Sequence, residues 1–251
     1  MKIEFRHLSF GYTPKKPVLQ EIDLTLPKQQ LVAILGPNGS GKTTLVKQIN
    51  RILTPQKGTV TADGQNLAGL TPGQLARTIA YVPQMTGGIM AGSVMDTILL
   101  GRKPYIQWKP SNEDIDIVSK CILRLGLEEI AHQPFHALSG GQKQTVLIAR
   151  ALAQTPQIYL FDEPVSFLDV RNQLQIMNAA RELVDADGKT VIMVLHDLNL
   201  ALRFADHVVM MKDGSVYAQG APKEVITEET VFAVYGTHAK IINDEYVVTS
   251  L

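Results

Sequence analysis

The chain has 251 residues, 45% of them hydrophobic, enough to bury a substantial core as one large domain or two small ones without a covalent staple. Twenty-four Lys and Arg offset 24 Asp and Glu, so no overall positive field exists to hold nucleic acid or an anionic membrane surface. One cysteine excludes an internal disulfide; no stretch approaches ~18 uninterrupted apolar residues, and the start Met1-Lys2-Ile3-Glu4-Phe5 lacks the apolar run of a signal peptide, which points to the cytoplasm.

Along the chain, Ile3 and Phe5, then Val18, Ile22, Leu24 and Leu26, alternate with polar residues and predict half-buried antiparallel strands. Leu31-Val32-Ala33-Ile34-Leu35 predicts a fully buried strand that runs into a glycine-rich loop, and a helix is expected over Thr43 to Leu53, closed before Pro55. Ile79 to Val82 reads as a further strand ended by Pro83-Gln84. There the composition shifts, at Met85-Thr86-Gly87-Gly88, and we place a subdomain boundary. From about residue 85 to 155 the pattern is helical, with starts at Ser93-x-x-Asp96 and Ser111-x-x-Asp114 and stops at Gly101 and Gly126. Cys121 falls among Ile115, Val118, Ile122 and Leu125 at helical spacing and reads as a small core residue. Strands return at Ile158 to Phe161 and Thr190 to Leu195, and Val208 to Met211, Asp213-Gly214 and Ser215 to Ala218 predict a hairpin. There is no internal repeat and no low-complexity tract.

The glycine loop is Gly36-Pro37-Asn38-Gly39-Ser40-Gly41-Lys42-Thr43, followed by Thr44. A buried strand, G-x-x-x-x-G-K-T and a helix curl backbone N–H groups around phosphate oxygens and aim a helix N-terminus at them. Lys42 then bridges the terminal phosphates and Thr43 ligates magnesium. By itself the loop suits a kinase, a GTPase or a transport ATPase. Asp162 and Glu163 end the apolar run Ile158-Tyr159-Leu160-Phe161, so both carboxylates emerge at the carboxyl edge of a buried strand, where open parallel sheets bind ligands. Asp162 is the expected magnesium residue and Glu163 the general base for an attacking water; a lone Asp-Glu-Pro would usually be a solvated turn, but the glycine loop favours catalysis.

Leu138-Ser139-Gly140-Gly141-Gln142 resembles the signature of ATP-binding cassette proteins. In local terms Ser139 and Gln142 form a capping box before the helix Thr145 to Leu152, and a cap alone would account for them. Two glycines in a first turn, however, cost stability unless something approaches the backbone closely. The resemblance covers nearly the whole chain. It implies a P-loop NTPase core with a mixed, largely parallel sheet, an N-terminal antiparallel β subdomain and a helical insertion, with residues 1–84 and 156–251 as core and 85–155 as helical unit. It also implies that Ser139, Gly140, Gly141 and Gln142 contact the γ-phosphate held by a second copy, so that ATP is sandwiched in a homodimer.

Residue by residue, Tyr12 after Phe10-Gly11 looks like the aromatic that stacks on adenine, and Gln84 like the glutamine that senses magnesium and the γ-phosphate. Ser166-Phe167-Leu168-Asp169 resembles the loop that pairs across the dimer, with Ser166 and Asp169 as its polar members, and His196 looks like the switch histidine. The chain departs from the pattern at Gln142-Lys143-Gln144-Thr145, where arginines are common near 143 and 145. Leu75 to Gln84, Ile98 to Pro104 and His196 to Ala201 are similar to ATPases of importers for iron chelates, haem and cobalamin. That implies ATP and Mg²⁺ as cofactors and a peripheral position on the cytoplasmic side of the inner membrane. Permease subunits would dock near Met85 to Arg102, with Ile89, Met90 and Met95 as an apolar wall, and an extracytoplasmic substrate-binding protein would act through them; nucleic acid is not expected. A repair or translation ATPase of the same family, or a small-molecule kinase, are the rival readings.

Overall fold

A computed structural model describes residues 1–13, 16–84, 92–166, 168–243 and 245–250. The early alternation becomes the antiparallel pair β1 (Ile3–Phe10) and β2 (Leu19–Leu26). After the buried β3 (Leu31–Leu35) and helix α1 (Lys42–Ile49), strands β4 (Lys57–Ala62) and β5 (Gln65–Asn66) extend that pair to a four-stranded sheet of order β2-β1-β4-β5. Helix α1 ends four residues before the predicted Leu53. The Asn50 side chain accepts from the Ile52 N–H at 3.1 Å and Arg51 takes φ 59°, a local turn that competes with helix continuation.

The chain then forms α2 (Pro72–Thr78), β6 (Ile79–Val82), α3 (Val94–Leu99), α4 (Asn112–Arg124), α5 (Gly140–Ala153) and β7 (Ile158–Asp162). It continues through α6 (Val170–Asp185), β8 (Thr190–Val194), α7 (Leu198–Phe204), β9 (His207–Lys212) and β10 (Ser215–Gly220). The C-terminal part comprises α8 (Pro222–Val225), α9 (Glu228–Tyr235) and a hairpin of β11 (His238–Ile242) and β12 (Tyr246–Ser250). The central sheet has order β10-β9-β3-β8-β7-β6, parallel except for the edge strand β10. It is the mixed, largely parallel sheet that the resemblance implies.

Successive strand residues point to opposite faces, so strands covered on both sides need unbroken apolar runs. All five residues of β3, β7 and β8 are buried. Ala33, Phe161, Met193 and Met210 join the core formed with α3, α4, α5 and α6, whereas Ile34, Leu160, Ile192 and Val209 join the core formed with α1 and the antiparallel sheet. One sheet thus divides two cores and holds both.

Capping decides the helix starts. Ser93 with Asp96 and Ser111 with Asp114 form reciprocal capping boxes at α3 and α4, as expected. Gly126 takes φ 63° after α4 and serves as a stop. Gly101 has a different role: a Cβ there would lie 2.1 Å from the Arg150 carbonyl oxygen, so the glycine lets the α3 exit approach α5. Cys121 is buried in the core, and burial pushes its thiol up to about 11.

Between α3 and α4, buried Arg102 donates to Asp114 Oδ1 at 2.8 Å and to the Ala153 carbonyl and Thr155 Oγ1 at 3.0 Å each. It ties α4 to the end of α5. The Ser111 hydroxyl, then the Arg102 guanidinium, hold the Asp114 carboxyl down to about 2 against an ordinary 3.8. Because the folded value is depressed, the stabilisation is complete above about pH 4 and is lost as pH falls through about 2. Asp114→Ala is therefore expected to lower stability at neutral pH by about 3 kcal/mol, since it strands a buried cation. Urea unfolding at pH 7 and at pH 3 checks this: the gap between parent and variant should narrow at the lower pH.

Candidate functional site

The in-register parallel strands end at one edge. Leu35, Val82, Asp162 and Val194 close β3, β6, β7 and β8, and the loops after them carry Lys42, Gln84, Glu163 and His196. Gly36 opens the phosphate loop at φ 144°, and a Cβ there would stand 2.3 Å from the Met211 carbonyl oxygen. Only glycine satisfies both the backbone angle and the approach of β9. Pro37, Asn38 and Gly39 form the outer, more accessible part of the loop; Ser40, Gly41 and Lys42 are buried. The Lys42 ammonium donates to the Gly36 and Pro37 carbonyls at 2.7 and 3.0 Å. Burial lowers the Lys42 pKa, and Glu163 and Asp162 oppose that. The loop therefore holds its own cation at its centre.

Thr43 Oγ1 donates to Asp162 Oδ1 at 2.8 Å, and the Tyr81 hydroxyl donates to Asp162 Oδ2 at 3.1 Å. Burial raises the Asp162 pKa, the two hydroxyl donors pull it back, and neighbouring Glu163 pushes it up again. Buried hydroxyl and carboxylate oxygens are the donors a hard cation prefers. Among the described residues no group of three or more His, Cys, Asp or Glu could hold a metal. The Thr43 hydroxyl and Asp162 carboxylate are chemically suited to a magnesium ion shared with nucleotide phosphates.

Glu163 follows Asp162 at φ 53°, a left-handed conformation that is costly for a residue with a long side chain. Its carboxylate is met from its own turn and from two other segments. Gln84 Nε2 donates to Oε2 at 2.7 Å and Ser166 Oγ to the same oxygen at 3.2 Å, while His196 Nε2 stands 2.6 Å from Oε1. Gln84, Glu163, Ser166 and His196 are thus one constellation beside the phosphate loop, a carboxylate aimed and restrained at the edge where phosphate would sit.

Tyr12 has its ring 61% exposed, edge-on to Phe10 with centroids 5.2 Å apart, and its hydroxyl is 3.3 Å from buried Thr44 Oγ1. The ring stands open beside the first turn of α1. Ser139 caps α5: its Oγ accepts from the Gln142 N–H at 3.3 Å, and the Gln142 side chain accepts from the Ser139 N–H at 3.0 Å. A Cβ on Gly140 would meet nothing within 4 Å; one on Gly141 would touch Leu168 Cδ2 at 3.0 Å. Among the described residues, Ser139 to Gln142 make no hydrogen bond to the phosphate loop of their own chain. Asp169 caps α6, accepting from the Asn172 backbone at 2.8 Å and its side chain at 3.0 Å. Ile89, Met90 and the Met85 end of the expected docking groove, and Phe167, lie outside the described residues; Met95 is half-buried against the core. Tyr81 is the site residue the sequence reading missed. Its only signal was a tyrosine in a strand whose register with β7 was not yet known.

This edge, a glycine loop with a buried lysine, a hydroxyl paired with one carboxylate and a restrained second carboxylate, defines a nucleoside-triphosphate hydrolase. A family model described as ABC transporter matches residues 19–166. The chain belongs to the ATP-binding cassette (ABC) family and is an ABC-type ATPase that binds ATP. It is 44% identical to an uncharacterised ABC transporter ATP-binding protein of Methanocaldococcus jannaschii, over 94% of this chain and 92% of the relative. It is 39% identical to the achromobactin transport ATP-binding protein of Dickeya dadantii, over 99% and 93%. A solved dimeric bacterial ABC transporter cassette superposes with a TM-score of 0.80 at 30% identity, over 88% of this chain and 98% of that one.

Gly36→Ala is expected to destabilise the fold by about 2 kcal/mol or more, because backbone of β9 would have to move. Nucleotide binding should fall at least tenfold as the loop shifts. Thermal melting and a fluorescent-ATP titration check the two effects.

Proposed function

We propose that this chain is the ATP-hydrolysing subunit of a membrane importer for metal chelates, ferric siderophore, haem or cobalamin. The single observation that carries the hydrolytic part is the convergence of Gln84, Ser166 and His196 on Glu163 beside Lys42. The relative named for achromobactin transport supports the substrate class. Residues 1–84 and 156–251 act as the nucleotide-binding core and residues 85–155 as the helical unit. Permease subunits dock beside that unit, a substrate-binding protein acts through them on the far side, and the chain sits peripherally on the cytoplasmic face of the inner membrane. The balanced charge gives the nucleic-acid reading no support.

On this reading Tyr12 stacks on adenine, and Gly36 to Thr44 wrap the phosphates. Lys42 exchanges the neutral Gly36 and Pro37 carbonyls for phosphate oxygens, a stronger charge-assisted pairing. Magnesium, bound by Thr43 and Asp162 together with the phosphates, would neutralise charge on the transferring group. Gln84 and His196 hold the Glu163 carboxylate, which takes a proton from water as the water oxygen bonds to the terminal phosphorus and the bond to ADP breaks. Ser139 to Gln142 and Ser166 to Asp169 serve the nucleotide of a second copy, so closure of a homodimer completes each site and drives the permease. The dimeric cassette structure supports that assembly.

Glu163→Gln is expected to bind ATP and dimerise while turnover falls at least a hundredfold; single-turnover measurements with radiolabelled ATP check it, and undiminished turnover would sink the general-base role. ATPase activity of the parent should rise more steeply than protein concentration, because Ser139 serves the neighbour's nucleotide. Strict proportionality on dilution, with a monomer by light scattering in ATP, would refute the sandwich.

A further inference from the structure

Among the described residues, His196 lies between the catalytic constellation and the C-terminal part of the chain. On one side it meets Glu163 at 2.6 Å. On the other it lines a cleft of about 340 Å³ whose far wall is the C-terminal part of the chain, including Tyr235, Val247 and Thr249. Three residues beyond His196, the Asn199 side chain closes a paired hydrogen bond with the backbone of β12. Its Nδ2 donates to the Val247 carbonyl at 3.2 Å, and its Oδ1 accepts from the Val247 N–H at 2.7 Å. A side-chain amide thus occupies the place a neighbouring strand would take beside the hairpin.

The segment between His196 and Asn199 has little freedom to absorb movement. Asp197 caps α7 with its side chain, accepting from the Asn199 and Leu200 N–H groups at 2.7 and 3.2 Å. Position set at Asn199 is therefore transmitted to His196 through one tight turn. The hairpin in turn is anchored elsewhere. Glu228 of α9 accepts from the Ile241 N–H at 3.1 Å, and the Phe232 and His238 rings stack at 4.6 Å. Lys212 of β9 donates to the Ala233 carbonyl of α9 at 2.7 Å, next to the strand residue, Met211, whose carbonyl confronts Gly36. The Tyr235 hydroxyl of α9 is buried near the Gly36 backbone.

We infer that Asn199 is a positioning residue for ATP hydrolysis: through its paired bond to Val247 it fixes the His196 turn against the C-terminal hairpin and so sets the distance from His196 to Glu163. The inference rests on the hydrolytic reading above. Because the hairpin is held by α9, whose Tyr235 and Ala233 touch the elements around the phosphate loop, the same bond makes the C-terminal segment a reference frame for both ends of the site.

The test uses the full chain with ATP and compares Asn199→Ala, Val247→Pro, the two combined, and His196→Ala. Val247→Pro deletes the N–H from which Asn199 accepts but also fixes φ and replaces a buried side chain, so its melting temperature is read beside its kcat. Each of the first two is expected to lower kcat about tenfold, the effect of a modest misplacement, with KM for ATP unchanged. The combined variant should lose no more than either alone, since both remove one coupling. An unchanged kcat in either single variant beside a crippled His196→Ala overturns the inference alone, as does a combined loss equal to the product of the two. A rise in KM that follows a fall in melting temperature, with kcat intact, also overturns it by showing a purely structural role. Undiminished turnover in His196→Ala overturns this inference and the catalytic reading together.

Discussion

A parallel ladder buried on both faces is the constraint from which the site follows. β3, β7 and β8 lie side by side with every residue covered, so backbone groups inside the sheet can be satisfied only by the ladder itself. Such strands share one polarity, and their carboxyl ends finish together. The polar residues that cannot enter the sheet gather there, which brings residues as far apart as 42, 84, 163 and 196 to one edge.

Charge at that edge is managed by hydrogen bonding more than by exposure. Two adjacent carboxylates, Asp162 and Glu163, would repel in a half-buried place; each is given its own donors, Thr43 and Tyr81 for one, Gln84 and Ser166 for the other, with His196 beside the latter. These partners arrive from α1, from β6 and the loop after it, and from the turns after β7 and β8, so a shift of β6 would be felt by both acids. The turn at Glu163 is strained, at φ 53°.

What the sequence disclosed is what physics writes locally. Continuous apolar runs announced β3, β7 and β8, Ser-x-x-Asp boxes announced α3 and α4, and the glycine loop and signature announced the family that the comparisons establish. The less legible parts depend on partners distant in sequence. Only two residues of β4 are buried, and β11 alternates polar and apolar residues without a full core face, so neither carries a strong period. Tyr81 became a site residue only through its register with β7. Asn50 ended α1 early by a side-chain turn that an apolar pattern continuing to Leu53 concealed. Ser139 and Asp169 each cap a helix in the single chain, which gives the sequence a local reason for both in addition to the proposed role across the dimer.

Gly140 shows what such local reasons leave out. A methyl group there would meet open space in the single chain, and replacing glycine by alanine in a helix is ordinarily neutral or favourable by up to about 1 kcal/mol. Screens that score folding alone would therefore accept the change, even prefer it. On the proposed sandwich, any loss of turnover it brought would be a debt of the assembled pair, invisible to every measurement made on one copy.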